Sequence, residues 1–79
     1  MVYVYVIKSL VKNYRYVGIT NNFNRRIQSH NLGYNKSTKN FAPYKTIFVE
    51  NYEDYKKARE REKFLKSGVG RKFLDSLKS

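Results

Sequence analysis

Residues 2–8 alternate with period two, Val2, Val4 and Val6 falling on one side and Tyr3, Tyr5 and Ile7 on the other. β-branched and aromatic residues in this pattern form a strand. Residues 14–20 alternate again, with Tyr14, Tyr16 and Gly18 on one face and Arg15, Val17 and Ile19 on the other. Only the short polar-ended segment 9–13 separates the two, so an antiparallel hairpin is the natural arrangement. A glycine inside the second strand, Gly18, marks a place where something approaches the backbone closely.

Asn21 or Asn22 can cap a helix that runs to about Asn31 and ends at Gly33, with Phe23, Ile27 and His30 on its inner face. Residues 34–44 have no period and read as a loop around Phe41 and Pro43. A third strand follows over residues 45–50. Asn51 is a plausible cap, with Asp54 three residues on, for a helix reaching about Lys66 and stopped by Gly68. Phe73, Leu74 and Leu77 share one face of a last short helix over residues 71–77. The sum is a small α/β (α+β) domain over residues 1–79: a three-stranded antiparallel sheet flanked by three helices. With 79 residues and no cysteine it stands on packing, without disulfides, thiolate metal sites or a cysteine nucleophile.

Charge narrows the function. The net charge is +11, and residues 1–49 carry eight of the seventeen bases and none of the six acids. Every carboxylate side chain therefore comes from the last third of the chain. A carboxylate pair with one early and one late member is excluded. No apolar run approaches the roughly 20 residues of a membrane span, and the start lacks the basic region and cleavage site of a signal peptide. A soluble cytoplasmic protein with a polyanionic partner and no membrane association is expected.

One acid stands apart. Tyr55, Ala58, Glu62 and Leu65 fall on one stripe of the second helix, while Glu60 points away and Phe64 sits off the stripe. An acid on an apolar face needs a partner. Glu62 pairs with a nearby Arg or Lys, or it is a metal ligand or catalytic carboxylate facing a cleft. Arg26 lies between Phe23 and His30 on the inner side of the first helix, with Arg25 about 100° away. An inward Arg beside a His suits a phosphate grip; an Arg26–Glu62 salt bridge is the plainer reading. His30 by itself, like Tyr5 or Tyr16 by itself, is explained by packing. Together they supply what phosphodiester hydrolysis needs. A phenol can relay the proton of an attacking water if cationic neighbours pull its pKa down. A carboxylate can hold Mg²⁺, and a guanidinium can neutralise charge on phosphorus.

These residues carry a resemblance. Tyr3-Val4-Tyr5, then Tyr16-Val17-Gly18 after ten intervening residues, then Arg26 and His30, and finally the helix from Ala58 to Gly68 with Glu62 within it occur in order along nearly the whole chain. The chain resembles the GIY-YIG endonuclease superfamily, most closely its small stand-alone bacterial members. It is similar to the nuclease domain of the excision-repair incision enzyme and of homing endonucleases. The resemblance implies a three-stranded antiparallel sheet flanked by helices. It makes Tyr5 and Tyr16 the motif tyrosines, either of which is the general base. It assigns Arg26 to the scissile phosphate, Glu62 to a single Mg²⁺ or Mn²⁺, and His30 to the active site. Tyr3 replaces the first motif glycine, and Ile19 stands where some members have a lysine. A late asparagine found in some members has no counterpart beyond Gly70.

The expected function is a one-metal, tyrosine-assisted endonuclease that acts on DNA in repair or processing. Branched or damaged DNA is the candidate substrate, RNA stays open, and a partner protein could supply specificity. No recognition element remains beyond the core, so cleavage should be loose or structure-directed. Arg25, Lys36, Lys39, Lys45 and the basic face of the third helix would hold the backbone. Two competing readings stand beside it. One is a non-catalytic nucleic-acid-binding module of the same fold that stacks bases on its tyrosines; the other is a protein-interaction domain whose charge is incidental.

Overall fold

The computed structural model describes residues 1–34, 36 and 38–77. Residues 35 and 37 of the expected loop, and residues 78 and 79 at the end of the expected domain, lie outside the described residues. The elements run β1 (Val2–Ser9), β2 (Arg15–Thr20), α1 (Phe23–Asn31), a 3-10 turn (Lys39–Phe41), β3 (Tyr44–Tyr52), α2 (Tyr55–Lys66) and α3 (Gly68–Ser76). The sheet is antiparallel, in the order β2–β1–β3. The α+β fold is the one expected, with three strands and three helices. No helix among the described residues is long and apolar enough to cross a membrane.

The central position of β1 explains its composition. A strand covered on both faces buries both sides of its alternation. Val2, Val4 and Val6 join Ala58, Leu65 and Leu74 in one core cluster, so α2 and α3 cover the valine face. Tyr5 and Ile7 join Tyr44 in a second cluster, with Tyr14, Tyr16, Phe23, Ile27 and Phe41 packed around it. Leu65 is 1% exposed, and truncating it to Ala would destabilise the first cluster by about 2–5 kcal/mol.

Asn22 caps α1 by accepting a hydrogen bond from the Arg25 N–H at 3.2 Å. Leu32 closes the helix, and Gly33 turns the chain with φ of 77°, a left-handed conformation that suits glycine. The C-terminal half departs from expectation at its joints. β3 begins at Tyr44 and runs on to Tyr52, because it pairs with the whole length of β1, from Ser9↔Tyr44 to Val2↔Tyr52. Asn51 is therefore a strand residue, and the cap of α2 is Asp54, whose carboxylate accepts from the Lys57 N–H at 2.9 Å. Gly68 does not stop a helix but starts α3. Ser67 ends α2 and caps α3, its hydroxyl accepting from the Gly70 N–H at 3.2 Å.

The packed stripe of α2 also differs. Tyr55 is 47% exposed, whereas Phe64 packs against the first cluster. The Arg61 guanidinium lies 4.9 Å from the Phe64 ring and 5.4 Å from that of Phe73. Glu62 is thereby left at the margin of the packed face.

Candidate nuclease site

Pairing register places the site. Tyr5 stands opposite Gly18 and Ile7 opposite Tyr16 in the β1–β2 ladder. The Tyr5 ring lies over Gly18: a Cβ there would meet Tyr5 Oη at 2.6 Å, Tyr5 Cζ at 2.7 Å and Tyr16 Cε2 at 2.9 Å. The close approach expected at Gly18 is thus that of the Tyr5 phenol, which crosses the edge strand where no side chain blocks it.

The phenol ends at α1. Tyr5 Oη is hydrogen-bonded to His30 Nε2 at 2.9 Å, and His30 Nδ1 to Thr38 Oγ1 at 2.8 Å. The Tyr44 hydroxyl donates to the Thr38 carbonyl at 2.8 Å. The Tyr16 ring completes the group, with its centroid 6.3 Å from that of Tyr5 and 5.0 Å from that of His30. Tyr5, His30 and Thr38 are buried, and Tyr16 is half-buried. Thr38 had no sequence signal, because it sits in an aperiodic segment and is recruited only when that segment folds back over His30.

Burial dominates the electrostatics. It raises the Tyr5 pKa far above the ordinary phenol value; the neighbouring Tyr16 adds to this, Arg26 opposes it and Glu62 adds again. A Tyr5 phenol acidified by cations is therefore not what the fold provides. Burial lowers the His30 pKa, and Arg26 lowers it further. A neutral imidazole has one donor and one acceptor nitrogen, which matches its two hydroxyl partners. Arg26 and Glu62 both act electrostatically on the Tyr5 phenol, with opposite signs, from helices on opposite faces of the sheet.

Arg26 is exposed rather than inward, because the inner face of α1 is already filled by Phe23, Ile27 and His30. With Arg25, Thr20, Asn21, Asn22 and Ser29 it lines a cleft of about 360 Å³. The Glu62 side chain is 17% exposed and pairs with Lys66 at 3.3 Å, one turn along its own helix, not with Arg26. Its charge acts on the Tyr5 phenol, and no three His, Cys, Asp or Glu side chains gather into a metal cage among the described residues. One carboxylate completed by water and phosphate oxygens is a donor set that suits a hard cation such as Mg²⁺. Lys36, Lys39 and Lys45 are exposed.

Comparison with known proteins agrees with this geometry. The GIY-YIG catalytic domain matches residues 1–73. A UPF0213 protein of Clostridium perfringens is 37% identical over 67 residues, covering 84% of this chain and 71% of the relative. No solved structure matches the chain. With a family match across nearly all of its length and the two motif tyrosines packed against one histidine, the chain belongs to the GIY-YIG family of nucleases.

Proposed function

We propose that the protein hydrolyses DNA phosphodiester bonds, with Tyr16 relaying the proton of the attacking water, Arg26 on the scissile phosphate and Glu62 holding one Mg²⁺ or Mn²⁺. The observation that carries this reading is the packing of the two motif tyrosines, Tyr5 and Tyr16, against His30 on one face of the sheet. Family membership supports a nucleic-acid substrate.

Each side chain has a distinct task. Tyr5 is buried and committed to His30, so it positions: it holds His30 and supports the Tyr16 ring beside it. Tyr16 is half-buried and relays the water proton, accepting it while passing its own to a phosphate oxygen, as the new P–O bond forms and the P–O bond to the leaving oxygen breaks. Arg26, free at the surface, meets the phosphate oxygens, where a planar guanidinium binds in two-pronged fashion. Glu62 exchanges Lys66 for the cation, a small sacrifice for an i,i+4 pair whose lysine is exposed. When bound, the ion neutralises charge on the leaving oxygen. DNA with branched or damaged sites, RNA staying open, a cytoplasmic role in repair or processing and a partner that lends specificity complete the proposal.

The test is nicking of supercoiled plasmid with and without Mg²⁺ or Mn²⁺, comparing wild type with Glu62→Gln and Arg26→Ala. Cation-dependent nicking that both substitutions abolish is expected. Equal activity in all three proteins would overturn the mechanism.

A further inference from the structure

A second cleft lies away from Arg26. It measures about 640 Å³ and lies between the hairpin and the two C-terminal helices. Its wall carries Lys8 and Arg15 from the sheet and Lys66 and Arg71 from the helices, with Asp75 as its one acid. Tyr16 also borders it, so the cleft opens beside the proposed general base.

Strand register adds an independent observation. Lys8 is paired with Arg15 on one side and with Lys45 on the other, so three cations stand in one row across all three strands. Directly opposed residues share a face, and like charges there repel. The row sits on the α2/α3 side, since Lys8 continues the face of Val2, Val4 and Val6. Among the described residues only Arg15 of the three has an acid against it, Asp75 at 2.7 Å, and that carboxylate is 68% exposed, which makes the pair easy to exchange.

We propose that this cleft is a second phosphate-binding track: Lys8, Arg15 and Arg71 on its wall, with Lys45 continuing the row beyond it, hold successive backbone phosphates of the nucleic acid whose scissile bond lies at Tyr16. Arg15 trades Asp75 for a phosphate when the strand enters. The proposal rests on the nuclease reading above and extends its substrate contact to the opposite face of the sheet. A polyanion relieves the repulsion in the row, and backbone contacts of this kind position without reading sequence.

The test is fluorescence anisotropy with a labelled DNA duplex over a series of KCl concentrations. Lys8→Gln/Arg71→Gln is compared with Lys56→Gln/Lys57→Gln, an equal loss of charge at exposed positions on the first turn of α2. Each phosphate contact contributes roughly 0.9 to the slope of log K against log[salt]. The cleft variant should lose about 1.8 of slope and bind at least ~10-fold more weakly at ~0.1 M salt, while the α2 variant keeps the wild-type slope. Asp75→Asn, which frees Arg15, should bind more tightly than wild type. Thermal unfolding separates binding from folding, because removing Lys8 relieves repulsion and should leave the melting temperature unchanged or higher. Equal slopes for the two double variants overturn the track alone. Failure of the wild type to bind DNA at any salt concentration overturns the nuclease reading, and the track with it.

Discussion

Tyr5 Oη and His30 Nε2 lie 2.9 Å apart, on side chains that are 1% and 0% exposed. This contact ties the central strand to the last turn of α1 and leaves Tyr16 as the accessible motif tyrosine. Tyr5→Phe strands a buried imidazole nitrogen, which should cost about 1–3 kcal/mol of stability in denaturant unfolding. Tyr16→Phe keeps that bond and should unfold like wild type while its cleavage rate falls about 10²–10⁴-fold. The reverse pattern, a fully stable and inactive Tyr5→Phe beside an active Tyr16→Phe, would move the general base to Tyr5.

The same pair gives the protein a pH signature. An unfolded histidine titrates near 6.5, and burial lowers the folded His30 below that. Below about pH 6.5 the unfolded chain binds a proton that the folded chain refuses, so stability falls with pH until the lowered folded value is passed. Tyr5 works at the other end. Its raised pKa means that the folded chain keeps a proton above about pH 10 that the unfolded chain has lost, and stability falls as pH rises. Melting curves should show the gap between wild type and His30→Gln narrowing as pH drops from 7 to 5.

Gly18→Ala is the smallest change that should disable the site. The added methyl would fall 2.6 Å from Tyr5 Oη and 2.9 Å from Tyr16 Cε2, so both rings must shift. Overpacking of this kind costs about 1–3 kcal/mol. A folded, less stable protein with little cleavage is expected from unfolding and nicking assays run side by side. Wild-type activity would show that the rings need not stay where they are.

Glu62→Gln should separate function from stability. Its partner Lys66 is an exposed side chain one turn along the same helix, and an i,i+4 pair of this kind contributes about 0.2–0.5 kcal/mol. The expected result is a near-wild-type melting temperature, loss of cation-dependent nicking and loss of a saturable Mn²⁺ site in a metal titration. Retention of that site would remove Glu62 from the metal.

Arg26→Ala tests the phosphate contact in the same manner. An exposed side chain of this kind changes stability by about 0.5 kcal/mol or less. A lost transition-state donor costs about 10²–10³ in rate. A rate unchanged within twofold would exclude a phosphate role.

Alternation was enough to define the hairpin, and helix periodicity with an asparagine cap was enough to define α1, because both depend on neighbours a few residues away. The joints of the second half were less legible. β3 extends to Tyr52 because β1 offers it a partner that far, and pairing overrode the local cap signal at Asn51. The pair of helices meeting at Ser67 likewise depends on Leu65 and Leu74 reaching the same valine face.

For the site, residue types and order were in the chain, and motif resemblance named Tyr5, Tyr16, Arg26, His30 and Glu62 together. Their states were not. Whether Arg26 points in or out depends on what fills the inner face of α1. Whether Tyr5 is acidified or held neutral depends on how deeply it is buried, and Thr38 meets His30 only through a loop closure that no period announces. The row of Arg15, Lys8 and Lys45 exists only once the three strands are in register. Short-range sterics and alternation thus write the elements and the chemical inventory into the sequence, while desolvation and electrostatic neighbourhood belong to contacts made across the folded sheet.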